Sequence, residues 1–152
     1  MADQVLFELV TPERLLVSQP VDMVVVPGTE GNFGVLPGHA PLISTIRPGT
    51  IDIYHQNRAT IVQRFFVASG IAEVTPEGCT VLADEAMPPE SLDRTALEAE
   101  AQTIEGNLPS LREQVVRTTG SDRDRLATEL RQLERQQAVA RAKLQVLTEL
   151  SR

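Results

Sequence analysis

Two rhythms divide the chain. Up to about residue 87, apolar and polar residues alternate in short runs; beyond it, apolar residues recur at steps of three and four. Period two marks a strand with one buried face, and the three-four step marks one face of a helix. The alternating half predicts extended segments at Val5–Val10, Leu15–Ser18, Val21–Val26, Phe33–Leu36, Leu42–Ile46, Thr50–His55, Ile61–Ala68, Ile71–Thr75 and Thr80–Ala83. In the sixth of these, Ile51, Ile53 and His55 fall on one face. Turn signals separate the segments at Pro27-Gly28, Pro37-Gly38, Pro48-Gly49, Gln56-Asn57, Ser69-Gly70 and Pro76-Glu77-Gly78. Many short strands at close spacing predict an antiparallel β-sandwich or barrel, not a parallel α/β sheet.

The second half predicts an antiparallel helical hairpin. Ser91, following Pro88-Pro89, is the candidate N-cap. Leu97, Ala101, Ile104, Leu108, Leu111 and Val115 form the first apolar stripe. Leu126, Leu130, Leu133, Gln137, Ala140, Leu144 and Leu147 form the second, after a turn at Thr118-Thr119-Gly120-Ser121 in which Ser121 can cap. Gly106-Asn107-Leu108-Pro109 interrupts the first stripe, where interior proline costs about 3 kcal/mol. The helix there either kinks or breaks and restarts with Ser110 and Glu113 as a capping box.

Composition sharpens the division. All the aromatics lie at or before Phe66, and beyond Met87 the chain turns to Ala, Leu, Glu, Gln and Arg. We therefore expect two domains, 1–87 and 88–152, of β and α type. A net charge of −7 over 152 residues argues against nucleic-acid binding and against broad adhesion to anionic lipid. One cysteine, Cys79, excludes an internal disulfide, and His39 and His55 lack metal-ligand spacing. No apolar run reaches 18 residues, and the first residues carry no basic leader, so a reducing cytoplasm is the expected home. The Gly- and Pro-rich run Val24–Leu42 resembles a phosphate loop only superficially. It lacks the lysine, and its prolines withdraw N–H donors, so it reads as turn chemistry.

Catalytic chemistry is not legible. Asp84 and Glu85 would point to opposite faces of a strand, and neither histidine has an orienting acid nearby in sequence. Cys79 has no neighbouring base and reads as a small residue at a strand start. The second helix is different. Arg123, Arg125, Arg131, Arg135, Arg141 and Lys143 outnumber Asp124, Glu129 and Glu134 by three within an acidic chain. These bases are either a solvated face or a docking surface for an acidic partner. Small Ala138, Ala140 and Ala142 with polar Gln137 predict a weakly held hairpin that can open.

Five segments together carry a resemblance: F-E-L-V-T-P-E-R, V-P-G-T-E-G-N-F-G-V-L-P-G-H-A-P-L, I-R-P-G-T-I, V-A-S-G-I-A-E-V and C-T-V-L-A-D-E-A. With the terminal A-R-A-K-L-Q-V-L helix, they resemble the epsilon subunit of bacterial F-type ATP synthases over nearly the whole chain. The resemblance implies a non-catalytic rotor subunit of the central stalk, without cofactor or metal. It would be peripheral to the cytoplasmic face of the inner membrane. It implies that the sandwich binds the gamma subunit and rests on the c-ring, and that the hairpin extends into the alpha/beta head to restrain ATP hydrolysis. Glu30, Gly31, Asn32 and Phe33 then fall in the c-ring loop, and His39 in the region of the gamma contact. Relatives often carry an acid where Asn32 stands, a charge this chain lacks. The six bases of the second helix would meet the beta subunit. Some relatives bind ATP through an Ile/Leu-Asp-x-x-Arg-Ala motif. Here Leu92-Asp93-Arg94-Thr95-Ala96-Leu97 keeps Asp93 but places Ala96 at the arginine position, so weak or absent ATP binding is expected. Two other classes remain for comparison: a free-standing β-sandwich binding module that dimerises through its hairpin, and a small hydrolase using His39 or Cys79.

Overall fold

Alternation sets the first unit, which extends to Ser91. The computed structural model describes residues 4–55 and 60–151, so the turn expected at Gln56-Asn57 lies outside the described residues. Ten strands follow one another: β1 (Val5–Val10), β2 (Leu15–Val21), β3 (Met23–Gly28), β4 (Gly31–Val35), β5 (Leu42–Ile46), β6 (Gly49–Tyr54), β7 (Ile61–Val67), β8 (Gly70–Val74), β9 (Gly78–Ala83) and β10 (Ala86–Met87). Their order is β10-β7-β6-β3-β5-β8-β9-β1-β2, with β4 paired to β3. The path folds on itself as a sandwich, and its two halves meet where β3 and β5 share the single pair Gly28↔Ile46. Inward-facing Phe7, Leu9, Val24, Ile51, Ile53 and Val67 are fully buried between the layers. Burying each such side chain stabilises the fold by roughly 1.5–3 kcal/mol.

Several expectations need correction. The sandwich is not wholly antiparallel, because β1 runs parallel to β9. These strands are distant in sequence, so no hairpin dictates their direction. Pro27-Gly28 is not a turn but the end of β3, paired with Asn32 and Gly31, and the chain reverses at Thr29-Glu30. Likewise β2 continues through Pro20 to Val21. It is the last strand of the order, where a missing N–H donor is tolerated. Cys79 is the second residue of β9 and buried, as a small residue at a strand start should be. Beyond β10, Pro89–Ser91 form one 3-10 turn in which the Ser91 hydroxyl donates to Pro88 O at 2.8 Å.

The second unit, Leu92–Arg152, is the helical hairpin. Helix α1 spans Arg94–Arg117 and α2 spans Gly120–Leu150. Asp93, not Ser91, caps α1: its carboxylate accepts from Ala96 N at 3.3 Å, while Ser91 is occupied by its own turn. Ser121 lies inside α2, because Gly120 reverses the chain with φ +71° one residue earlier. Helix α1 is continuous through Pro109, so the restart at Ser110 is not adopted. Leu97, Ile104 and Leu108 are buried on its stripe. Packing of that face outweighs the backbone bond that Pro109 cannot make. Every position of the second predicted stripe is at least partly buried, and Val146 is buried in addition.

Candidate functional site

The β3–β4 hairpin owes its sharp tip to two glycines. A side chain on Gly28 would place its Cβ 2.8 Å from Gly31 O and 3.0 Å from the Phe33 ring. Gly31 has φ +136°, a conformation that favours glycine. Glu30 and Asn32 are exposed, whereas Phe33 is half-buried and packs on the core. Thr29 N–H donates to Thr45 O at 3.0 Å, and the two threonine hydroxyls are 2.9 Å apart. Arg47 donates to Gly28 O and to Asn32 Oδ1, each at 2.6 Å. Between tip and β5 lies a groove of about 460 Å³ lined by Phe33, Leu42, Ile43 and Ser44 among others. Glu30, Gly31, Asn32 and Phe33 are therefore brought together on one rigid projection. Arg47 and Ile43 belong to the same place although sequence pattern did not single them out.

His39 lies beyond the opposite end of β4, a strand of roughly 14 Å at ~3.4 Å per residue. Gly38 N–H donates to Pro76 O at 3.0 Å and His39 N–H to Leu36 O at 3.1 Å, which fastens this turn to the β8–β9 connection. The His39 ring donates from Nδ1 to Ala40 O at 2.7 Å, which fixes its tautomer. His39 and the Glu30–Phe33 tip thus form two separate surfaces.

A third surface crosses five strands. Thr45, Ile71, Leu82, Val10 and Leu15 are successive cross-strand partners. Paired residues project from the same side of a sheet. Ile71, Leu82 and Leu15 are 49%, 55% and 55% exposed, and Ile43 in the neighbouring row reaches 74%. A row of large apolar residues on an outer face marks a surface suited to a partner.

Helix α2 spreads its bases over about 200° of arc, the side its apolar stripe leaves free. At 3.6 residues per turn, Arg123 aligns with Arg141 and Arg125 with Lys143, but the two pairs point to nearly opposite sides. Arg125 pairs with Glu129 at 3.1 Å, and Arg141 reaches Glu105 of α1 at 3.7 Å. Arg131 donates to Thr128 Oγ1, and Arg123 and Arg135 are exposed. Asp93 is engaged as a cap, and Ala96, where an arginine would meet phosphate, supplies the capped N–H.

The candidate catalytic residues stay apart. Burial pushes the Cys79 thiol from 9.0 up to about 12, so it remains a protonated core residue at neutral pH. Asp84 and Glu85 lie in the bend between β9 and β10 rather than on a strand, and Asp84 accepts from Ser69 Oγ at 2.6 Å. Among the described residues, no group of three or more His, Cys, Asp or Glu side chains could hold a metal ion. Among them too, no helix is long and apolar enough to cross a membrane.

Comparison with known proteins follows this division. Residues 4–89 match the family described as ATP synthase, Delta/Epsilon chain, beta-sandwich domain. The ATP synthase epsilon chain of Rhodospirillum centenum is 54% identical over 131 residues, 86% of each chain. That of Maricaulis maris is 41% identical over 140 residues, 92% of this chain and 98% of its own. A chain in the Euglena gracilis mitochondrial ATP synthase structure shares the fold at a TM-score of 0.74 and 17% identity, covering 97% of this chain and 83% of that one. With a matching profile over the sandwich and relatives of this identity along most of its length, the chain belongs to the epsilon chain family of ATP synthases.

Proposed function

We propose that the chain is a non-catalytic rotor subunit in the central stalk of a proton-translocating ATP synthase, peripheral to the cytoplasmic face of the bacterial inner membrane. Its sandwich couples the c-ring to the gamma shaft. Its helical hairpin restrains ATP hydrolysis by contact with the alpha/beta head. The observation that carries this reading is the braced β3–β4 tip, a rigid projection with exposed Glu30 and Asn32 in a family member. Such a projection suits repeated engagement with a polar loop surface, since little order has to be acquired on contact. The His39 turn and the apolar row through Ile71, Leu82 and Leu15 suit a longer-lived contact with gamma.

The arginines of α2 suit transient contact with an acidic head. Exposed ion pairs contribute about 0–1 kcal/mol each, so the engagement stays reversible. Because the bases span about 200° of α2, the arc its apolar stripe leaves free, this reading requires a partner that wraps the outer side of the helix rather than one that meets a narrow strip. Asp93, engaged as the cap of α1, and Ala96 in the arginine position support weak or absent ATP binding.

Affinity purification of the full chain from membranes tests the assignment. Gamma and c subunits are expected to co-purify with it. A homodimer recovered with neither would instead favour a free-standing binding module.

A further inference from the structure

The tip of the β3–β4 hairpin is held from outside the hairpin by two side chains at the end of β5, Thr45 on one limb and Arg47 on both. β4 pairs with β3 alone among the described strands, so its outer side lacks a ladder. Two strands joined by a two-residue loop are marginal unaided. Thr29, bonded to Thr45, steadies the β3 side. Arg47, immediately after β5, steadies both limbs: Nη1 donates to Gly28 O at the end of β3, and Nη2 donates to Asn32 Oδ1 in β4. Its backbone N–H also donates to Pro27 O at 3.0 Å, which fixes the root of the side chain. A guanidinium carries donors in a rigid planar fork, so the spacing of its two acceptors is imposed on the hairpin. Asn32 must present oxygen to it, because a guanidinium offers donors only.

We propose that Arg47 is the positioning residue of this tip, fixing the direction in which Glu30 and Phe33 are presented to the c-ring. The inference rests on the reading that the tip meets that ring. Asn32 completes the brace as a neutral acceptor, so the geometry depends on the fork rather than on charge neutralisation.

Amide hydrogen exchange on the full chain reads the brace by itself. Arg47→Ala, and Arg47→Lys, which keeps the charge without the fork, are expected to speed exchange across Thr29–Phe33 on the order of tenfold, the loss of a net hydrogen bond or two. Asn32→Leu should do the same from the other end, while Asn32→Asp, which retains an acceptor, should not. Unchanged exchange in Arg47→Ala, or wild-type behaviour of Arg47→Lys, overturns the brace. Tyr54 fluorescence through a urea titration verifies that each variant is folded.

In the assembled membrane complex, protons pumped per ATP hydrolysed should fall about twofold or more in both Arg47 variants, as expected when a contact is misplaced. Arg14→Ala, an equal loss of charge elsewhere on the sandwich, should leave that ratio unchanged. Faster exchange with an unaltered ratio in the Arg47 variants, while Glu30→Ala or Phe33→Ala lowers it, overturns the positioning role alone. If Glu30→Ala and Phe33→Ala also leave the ratio unaltered, the c-ring reading fails and the proposal falls with it.

Discussion

Replacing Gly28 by alanine perturbs the projection at one calculable place. The added Cβ would sit 2.8 Å from Gly31 O and 3.0 and 3.1 Å from two carbons of the Phe33 ring. The ring can give by a few tenths of an ångström, but the carbonyl is backbone in the tip's closing pair. Overpacking of this kind costs about 1–3 kcal/mol. Loss of glycine's freedom in the unfolded chain offsets about 0.4–1 kcal/mol of that. The net destabilisation lies between about 0 and 2.6 kcal/mol and centres on about 1.3 kcal/mol, a fall in Tm of roughly 5–10 °C for a module of this size. Tyr54 is the lone tyrosine in a chain without tryptophan, and it lies in β6, so its fluorescence reports unfolding of the sandwich rather than of the helices. Gly34→Ala is the control, because its Cβ would meet Met23 Sδ at 3.7 Å, an ordinary contact. A Gly28→Ala variant as stable as Gly34→Ala would refute the account of why the tip needs glycine.

Three further outcomes are expected. The folded chain keeps a proton on Cys79 that the unfolded chain releases, since burial pushes this thiol from 9.0 up to about 12. The stabilisation is complete below pH 9 and is lost as pH rises towards 12, by about 4 kcal/mol in total; urea titrations at pH 8 and 10 should show Cys79→Ala abolishing a difference of about 1 kcal/mol. Asp93→Ala should destabilise the hairpin by about 1 kcal/mol through its lost cap, seen by circular dichroism; calorimetry should detect no micromolar ATP binding before or after the change. Ending the chain after Ser91, the last residue of the first unit, keeps buried Pro89 and its 3-10 turn with the sandwich. Membranes carrying this shortened chain should hydrolyse ATP faster, and an unchanged rate would refute inhibition by the helices.

Local rhythm made most of the architecture readable. Ile51 and Ile53 alternate with polar residues and are fully buried, and the helix stripe through Leu97, Ile104 and Leu108 packs as its spacing requires. β10 escaped because two residues, Ala86 and Met87, offer no period to read. Pro27-Gly28 misled because turn propensity was overridden by pairing with β4, which moved the reversal to Thr29-Glu30. Ser91 and Asp93 are both competent caps, and only the 3-10 turn that occupies Ser91 decides between them. Pro109 announced a kink or a break, and tertiary packing suppressed the break. At the candidate site, the tip residues were legible through resemblance, but Arg47 was not: it lies 19 residues from Gly28 and 15 from Asn32, and no local pattern joins them. Charge counting found the bases of α2, and the 3.6-residue turn spreads them over the half of the helix opposite its apolar stripe.

Disulfide trapping of the tip against the c-ring tests the central claim most directly. Cys79 is buried and its thiol is raised to about 12, so a thiol introduced by Glu30→Cys is the reactive one. Paired with a cysteine in the polar loop of the c subunit, it should form a cross-link on mild oxidation. Because both parts are assigned to one rotor, the linked complex should still pump protons on ATP hydrolysis. Failure of the link to form, or loss of pumping when it does, would contradict the assignment of the Glu30–Phe33 tip to the c-ring.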